Sequence, residues 1–340
     1  MANKSFVAKA LKALRIWIIK NTDIAALPFI LVAVVVFMTV ATSGRFLSLG
    51  NIGALASQLP ELGLLSLAMV VVILTAGINL SIISSANLVS VLMAIIMTHF
   101  IPTGSPTGTV LVGLLITFAV GVAVSLLLGF VNGFLIAYVG LPAMLATLGT
   151  MFLYEGLTLA ITKGFVISGL PELYTGLSSA AILGVPLPLV ILILGIAGVA
   201  LILGKTPFGK YLFLIGSSET ATRFSAVDTR KALVQAYVLS GLLCGIAGMV
   251  MLSRFNSANA RSGSSLLLLT ILIAVLGGTD PNGGFGKISG LVLSLLTLQF
   301  ITSGLNLLGI TQFVTLALWG ILLILVIAYR YYMTRERRAA

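Results

Sequence analysis

Reactive side chains are sparse and scattered in this sequence. The single histidine, His99, lies beside an expected helix end, and the single cysteine, Cys244, lies in an apolar run. No His/Cys metal cluster and no internal disulfide can be built from them, and a Ser-His-Asp arrangement would have to take its base from a loop edge. Cys244 therefore reads as core packing. The segment GGTDPNGGFGKISG, residues 277–290, contains Gly-Lys, but a phosphate loop needs glycine where Pro281 stands and Ser or Thr where Ile288 stands. ATP hydrolysis by that route is excluded. The segment reads as a Gly-rich cytoplasmic turn with Asp280 and Lys287 in water.

What remains is a thin set of polar groups in apolar surroundings. Residues 75–88, TAGINLSIISSANL, crowd Asn79, Ser81, Ser84, Ser85 and Asn87 between two apolar runs without a single charge. An ordinary cytoplasmic loop would carry Lys or Arg. The pattern predicts a re-entrant or broken helical connection facing protein or a water-filled path, because irregular backbone at membrane depth survives only there; a plain tight turn is the alternative. Glu155 lies inside another apolar run, where a carboxylate is costly enough to suggest function. It reads as a pathway contact, or as the partner of a cation such as Lys163. Glu61 follows Gln58 by three residues, on one helical face.

The elements that hold these groups must be membrane helices. Of 340 residues, 59% are hydrophobic and 8% charged, against the roughly 25% charged of soluble domains. The mean hydropathy is +1.21. At roughly 20 apolar residues per crossing this allows about ten spans and excludes a soluble fold. Apolar runs fall at 28–43, 60–76, 84–99, 109–138, 143–162, 187–204, 233–252, 265–277, 288–303 and 310–329. The run 109–138 reads as one tilted or Gly-interrupted helix through Gly129 and Gly133. Gly241, Gly245 and Gly248 repeat the small-residue spacing that lets helices approach closely in lipid. Residues 1–27 interleave Lys4, Lys9, Lys12, Arg15 and Lys20 with apolar residues, as a cytoplasmic helix on the inner leaflet would. A signal peptide is the rival, but no convincing cleavage site follows.

Threading the spans from a cytoplasmic amino terminus puts fifteen of the nineteen basic residues inside, leaving Arg45, Lys163, Arg254 and Arg261 outside. Both termini are then cytoplasmic, with 28–331 the membrane domain and 332–340 a basic cytoplasmic tail. The formal charge of +11 is explained by topology, not by a nucleic-acid footprint. The long inside loop 205–231 contains an amphipathic turn or two, Glu219 to Phe224, with Ser217 or Ser218 as its N-cap.

Several motifs in order resemble one family. GKYLFLIGSSETATRFSAVDTRKALVQAYVLSGLLCGIAGMV, then LGGTDPNGGFGKISG and SGLNLLGI, with AGINLS and PAMLATLGTMFLYEGL upstream, are similar to the ribose-type permeases of bacterial ABC sugar importers over roughly residues 45–330. The resemblance implies a multi-pass subunit of the bacterial inner membrane, an all-α inverted-repeat bundle, paired with a second permease chain. A separate ATPase that binds ATP and Mg would drive it, so this chain carries no cofactor of its own, and an extracytoplasmic solute-binding protein would feed it. The segment matching 216–227 would be the coupling helix docking on the ATPase, which makes Gly216, Glu219, Thr222 and Arg223 candidate coupling residues. Spans two to five open outside and spans seven to ten open inside, as an inverted repeat requires.

The sequence departs from the family pattern, roughly GIDLSVGS, where Asn79 replaces the acid and Ile83 a glycine; Glu155 stands where arginine is common. These departures favour a heterodimer over a homodimer. On this reading a sugar would pass Gln58, Asn79, Ser81, Asn87 and Glu155, since exchangeable hydrogen bonds to amides and hydroxyls allow both entry and release. Glu61 would sit at the outer rim, meeting the delivering protein. An ion-coupled secondary carrier of a small polar solute is the alternative, with Glu155 as its ion site.

Overall fold

The computed structural model describes residues 25–101, 106–182 and 184–339, with side chains to residue 328. The basic segment expected over 1–27 lies almost wholly outside these residues, as do the side chains of the basic tail 332–340.

Each expected apolar run is a helix. In chain order these are α1 (Leu27–Ala41), α2 (Leu49–Ile73), α3 (Ile82–Phe100), α4 (Thr107–Ala137) and α5 (Ala143–Thr162). A short α6 (Glu172–Thr175) precedes α7 (Leu187–Lys205), and α8 (Pro207–Ser217) and α9 (Glu219–Phe224) fill the long loop. The chain closes with α10 (Thr229–Phe255), α11 (Leu266–Leu276), α12 (Ile288–Leu307) and α13 (Gln312–Ala339). Among the described residues seven are long and apolar enough to cross a membrane, and Leu27–Ala41, Leu266–Leu276 and Gln312–Ala328 are shorter apolar helices.

Their starts have local causes. The side chains of Ser48, Thr206, Ser218 and Asp228 each accept a hydrogen bond from a backbone N–H of the turn that follows, Asn51, Gly209, Ala221 and Lys231 respectively. Prolines at the first positions of α1 and α7 bring a preset φ to a place that needs no donor. α4 runs through Gly129 and Gly133 as one helix, as expected.

Burial sorts the helices into centre and periphery. The apolar windows of α2, α3 and α10 are 72–83% buried, whereas those of α4, α5 and α7 are only 22–28% buried and present side chains such as Phe130, Leu145 and Leu194 outward. A helix apolar on every side belongs either in a core or in lipid. Among the outer helices, α4 gains its hold on the centre through small residues. A Cβ on Gly133 would stand 2.8 Å from Val234 Cα, and one on Gly241 would stand 2.5 Å from Ser125 O, so the α4–α10 contact is backbone on backbone.

Short antiparallel pieces tie the loops at one end. Ile167–Ser168 pairs with Ser257–Ala258, and Leu170 N donates to Asn256 Oδ1 at 3.1 Å. Tyr174 donates to the Met249 carbonyl at 2.8 Å, and burial raises its phenol pKa above the ordinary value. The loop after α5 is thereby fixed to the loop after α10.

Candidate functional site

The uncharged segment between α2 and α3 is a buried break. α2 ends at Ile73, Ala76 adopts a left-handed φ of 62°, and α3 resumes at Ile82. Asn79 and Ser81 are at most 2% exposed. Asn79 Nδ2 donates to Ser240 Oγ at 3.1 Å, its Oδ1 accepts from Ser81 N and Oγ, and Asn132 Nδ2 donates to Ser81 Oγ at 2.8 Å. Thr150 closes the chain by donating to Asn132 Oδ1 at 2.6 Å. Asn87 donates to the carbonyls of Ala260 and Ser262, both at 3.0 Å. In this conformation Asn79, Ser81 and Asn87 therefore brace α3, α4, α5 and α10 and the loop after α10 rather than line an open passage.

The ionisable groups gather elsewhere, around a cleft of about 450 Å³ bordered by Glu61, Arg254, Arg261, Ser265, Leu266 and Gln312, among others. Glu61 comes from the middle of α2, immediately after Pro60, a residue that cannot donate to the carbonyl one turn before it. Arg254 Nη2 donates to Glu61 Oε1 at 2.6 Å; the two side chains are 20% and 8% exposed. The Arg254 guanidinium also lies 4.3 Å over the Phe255 ring. Glu61 is thus buried and paired, not an exposed acid at a helix start.

Glu155 reaches the same cleft through Arg261, whose Nε donates to its Oε1 at 2.7 Å. Lys163 is not the partner. It stands eight residues on, about 12 Å along the axis, as the left-handed C-cap of α5. Gln58, one turn before Glu61, accepts from Gln299 Nε2 at 2.9 Å, and Asn51 accepts from Ser303 at 2.7 Å, so α2 and α12 are joined by amides and hydroxyls. None of the five expected pathway residues lines the cleft itself; Glu155 is tied to it through Arg261, and Gln58 stands one turn before Glu61, turned to Gln299. Arg254 and Arg261 were passed over in the sequence as mere topology markers.

In the long loop 205–231, Ser218 caps α9. Glu219 and Arg223 pair one turn apart at 2.8 Å and are 45% and 61% exposed. Thr222 points inward, 4% exposed, donating to Ser218 O at 2.7 Å. Phe224, at the end of the helix, is 88% exposed; an aromatic set among charges was the signal for it. Gly216 presses directly on the Leu74 carbonyl and on Gly284 N, themselves hydrogen-bonded at 3.0 Å. Gly283 and Gly284 hold left-handed φ values of 85° and 78°, so the Gly-rich turn is a bearing for α8 and not only a connector. Asp280 and Lys287, expected in water, are half-buried there.

Among the described residues no group of three His, Cys, Asp or Glu side chains is placed to hold a metal ion. A bundle of apolar helices with a buried polar break, a charged cleft and an exposed short helix in its longest loop defines a polytopic membrane transport protein.

Comparison with known proteins makes this specific. Residues 51–327 match the family described as branched-chain amino acid transport system / permease component, and the chain belongs to it. It is 35% identical over 302 residues to the ribose import permease protein RbsC of Bacillus subtilis (strain 168), covering 88% of this chain and 90% of that one. It is 31% identical over 276 residues to the autoinducer 2 import system permease protein LsrD of Yersinia pseudotuberculosis, covering 79% of each. No solved structure matches it. The chain is therefore the multi-pass permease of an ABC importer in the inner membrane, a transport subunit whose ATP is hydrolysed on a separate chain.

Proposed function

We propose that this permease imports a monosaccharide or a related small polyhydroxylated solute. The observation that carries the reading is the identity with a ribose import permease along nearly the whole of both chains. All ten apolar helices would cross the membrane, with both termini cytoplasmic. The repetition of one device supports an inverted repeat: central α2 is followed by a buried polar break, and central α10 is followed by the loop that receives Asn87. The chain would pair with a second permease, a heterodimer being favoured by the departures at Asn79, Ile83 and Glu155. A solute-binding protein would deliver outside, and α9 would dock on the ATPase, with Glu219 and Arg223 as contacts and Thr222 and Gly216 holding the helix in place. ATP and Mg belong to that ATPase. Glu155, which holds Arg261 at the cleft, and Gln58, one turn from Glu61, would meet the solute on its way, with Asn79, Ser81 and Asn87 holding the surrounding helices.

The family description supports a second reading, a branched-chain amino acid. The test is to isolate the chain from its native membrane in mild detergent and reconstitute what copurifies. Stoichiometric recovery of a P-loop ATPase, with ATP-dependent uptake of a pentose or hexose, is expected. Uptake of leucine, isoleucine or valine instead would replace the solute class, and uptake on an ion gradient alone would overturn the coupling role of α9.

A further inference from the structure

The cleft carries a chemical signature of its solute. A guanidinium and a carboxylate can pair through two parallel hydrogen bonds, yet Arg254 and Glu61 share one. Glu61 Oε2 and Arg254 Nε are both left buried without a partner. Orphaned charged groups of this kind are rare in folded proteins and ask for an explanation. One atom can only accept a hydrogen bond and the other can only donate one. A hydroxyl is a group that answers both at once.

Charge narrows the class further. Arg254 is balanced by Glu61 and Arg261 by Glu155, so the cleft is formally neutral. An ion would gain nothing there that the pairs do not already supply, and a zwitterionic amino acid would have to break both. Met251, Phe255 and Leu266 add apolar wall suited to the C–H face of a ring. The volume, about 450 Å³, is that of a small-molecule site, a class spanning about 300–1,000 Å³.

We propose that Glu61 and Arg254 form a transit subsite for a neutral polyol: both orphan atoms are covered in this conformation, and as the pair opens during transport one solute hydroxyl accepts from Arg254 Nε and donates to Glu61 Oε2. The subsite rests on the importer reading above and deepens it. The pair is its recognition element, and Arg261, held by Glu155, is its rim.

The test uses a reporter thiol. The chain's one cysteine, Cys244, is fully buried, so Ser265→Cys at the cleft gives a position that a small uncharged methanethiosulfonate, indifferent to the charge of its neighbours, can read on this chain by mass. Reconstituted complexes carrying Ser265→Cys are labelled with and without ribose, or with its 2-deoxy analogue at the same concentration. Ribose is expected to slow labelling about tenfold, and the analogue clearly less. Adding Glu61→Gln or Arg254→Lys is expected to abolish the protection while the unprotected labelling rate, which reports an intact cleft, stays the same. Protection that survives both substitutions overturns the subsite. So does its absence in vesicles that import ribose with ATP and binding protein, which would assign the two orphan atoms to a structural water. Vesicles that import and are protected by leucine, and by no sugar, would instead overturn the solute class on which the subsite rests.

Discussion

Replacing Gly216 by alanine tests the link between α8, with the α9 it carries, and the membrane core. A Cβ at Gly216 would overlap the Leu74 carbonyl oxygen and Gly284 N, and would stand 3.0 Å from the Gly283 carbonyl carbon. All three are backbone atoms, so no side chain can swing aside. Overpacking of this kind costs about 1–3 kcal/mol, and parting the Gly284–Leu74 hydrogen bond leaves two groups unpaired at a further cost of about 1–3 kcal/mol. The cheapest relief is outward movement of α8, and with it α9. A penalty of about 2 kcal/mol on the seated position shifts the ratio of seated to displaced α8 roughly thirtyfold. On the proposed coupling role, Gly216→Ala should insert normally but move about tenfold less solute per ATP hydrolysed in proteoliposomes. Gly198→Ala is the control, since a Cβ there meets nothing within 4 Å. If Gly216→Ala matched Gly198→Ala in solute moved per ATP, the inference that this backbone contact transmits the stroke would be refuted.

Other substitutions probe the remaining contacts. Glu219→Arg or Arg223→Glu removes an exposed pair worth only about 0.3–0.5 kcal/mol within the chain, so stability should hold while ATPase recovery and transport fall; normal solute-stimulated ATP hydrolysis by the purified variants would show that α9 does not dock. Gly133→Leu drives side-chain bulk into the backbone of α10 and should lower the melting temperature in detergent, whereas Gly156→Leu, with open space around it, should not. Ser240→Ala orphans the Asn79 amide and should cost about 1–3 kcal/mol of stability, read as a lower thermal midpoint. Glu155→Gln leaves stability within about 1 kcal/mol of wild type, because its partner Arg261 is largely solvated.

The helices were legible because lipid demands long apolar runs, and the errors fall where polarity serves packing. α2 begins at Leu49, not near residue 60, because Ser48 caps it and its polar Asn51 and Gln58 turn toward α12 rather than toward water. α10 begins at Thr229 for a similar reason, its cap being Asp228. The α4–α10 glycine contact was readable from spacing alone, since only small residues allow that approach. The cleft was not. Glu61 and Arg254 are separated by 193 residues and Glu155 and Arg261 by 106, and no local pattern announces such a partner. Charge counting assigned both arginines a side of the membrane and hid what they bind.

The two candidate sites share one element. α2 carries Gln58 and Glu61 near its middle, and its end at Leu74 bears on Gly216 and the glycine turn. The helix is 83% buried over its apolar window, so it cannot bend toward lipid, and close-packed interiors transmit displacement rather than absorb it. Its weak point is Pro60, which removes a backbone donor directly beside Glu61. A push at Leu74 therefore travels along about 21 Å of rigid helix before it meets the residue where the helix yields most easily. That residue adjoins half of the buried ion pair. Separating Glu61 from Arg254 would strand two charges that no other described residue satisfies, so the pair is most readily parted when a solute hydroxyl stands ready between them. Cytoplasmic force and solute binding would then act on the same two side chains, from opposite ends of α2.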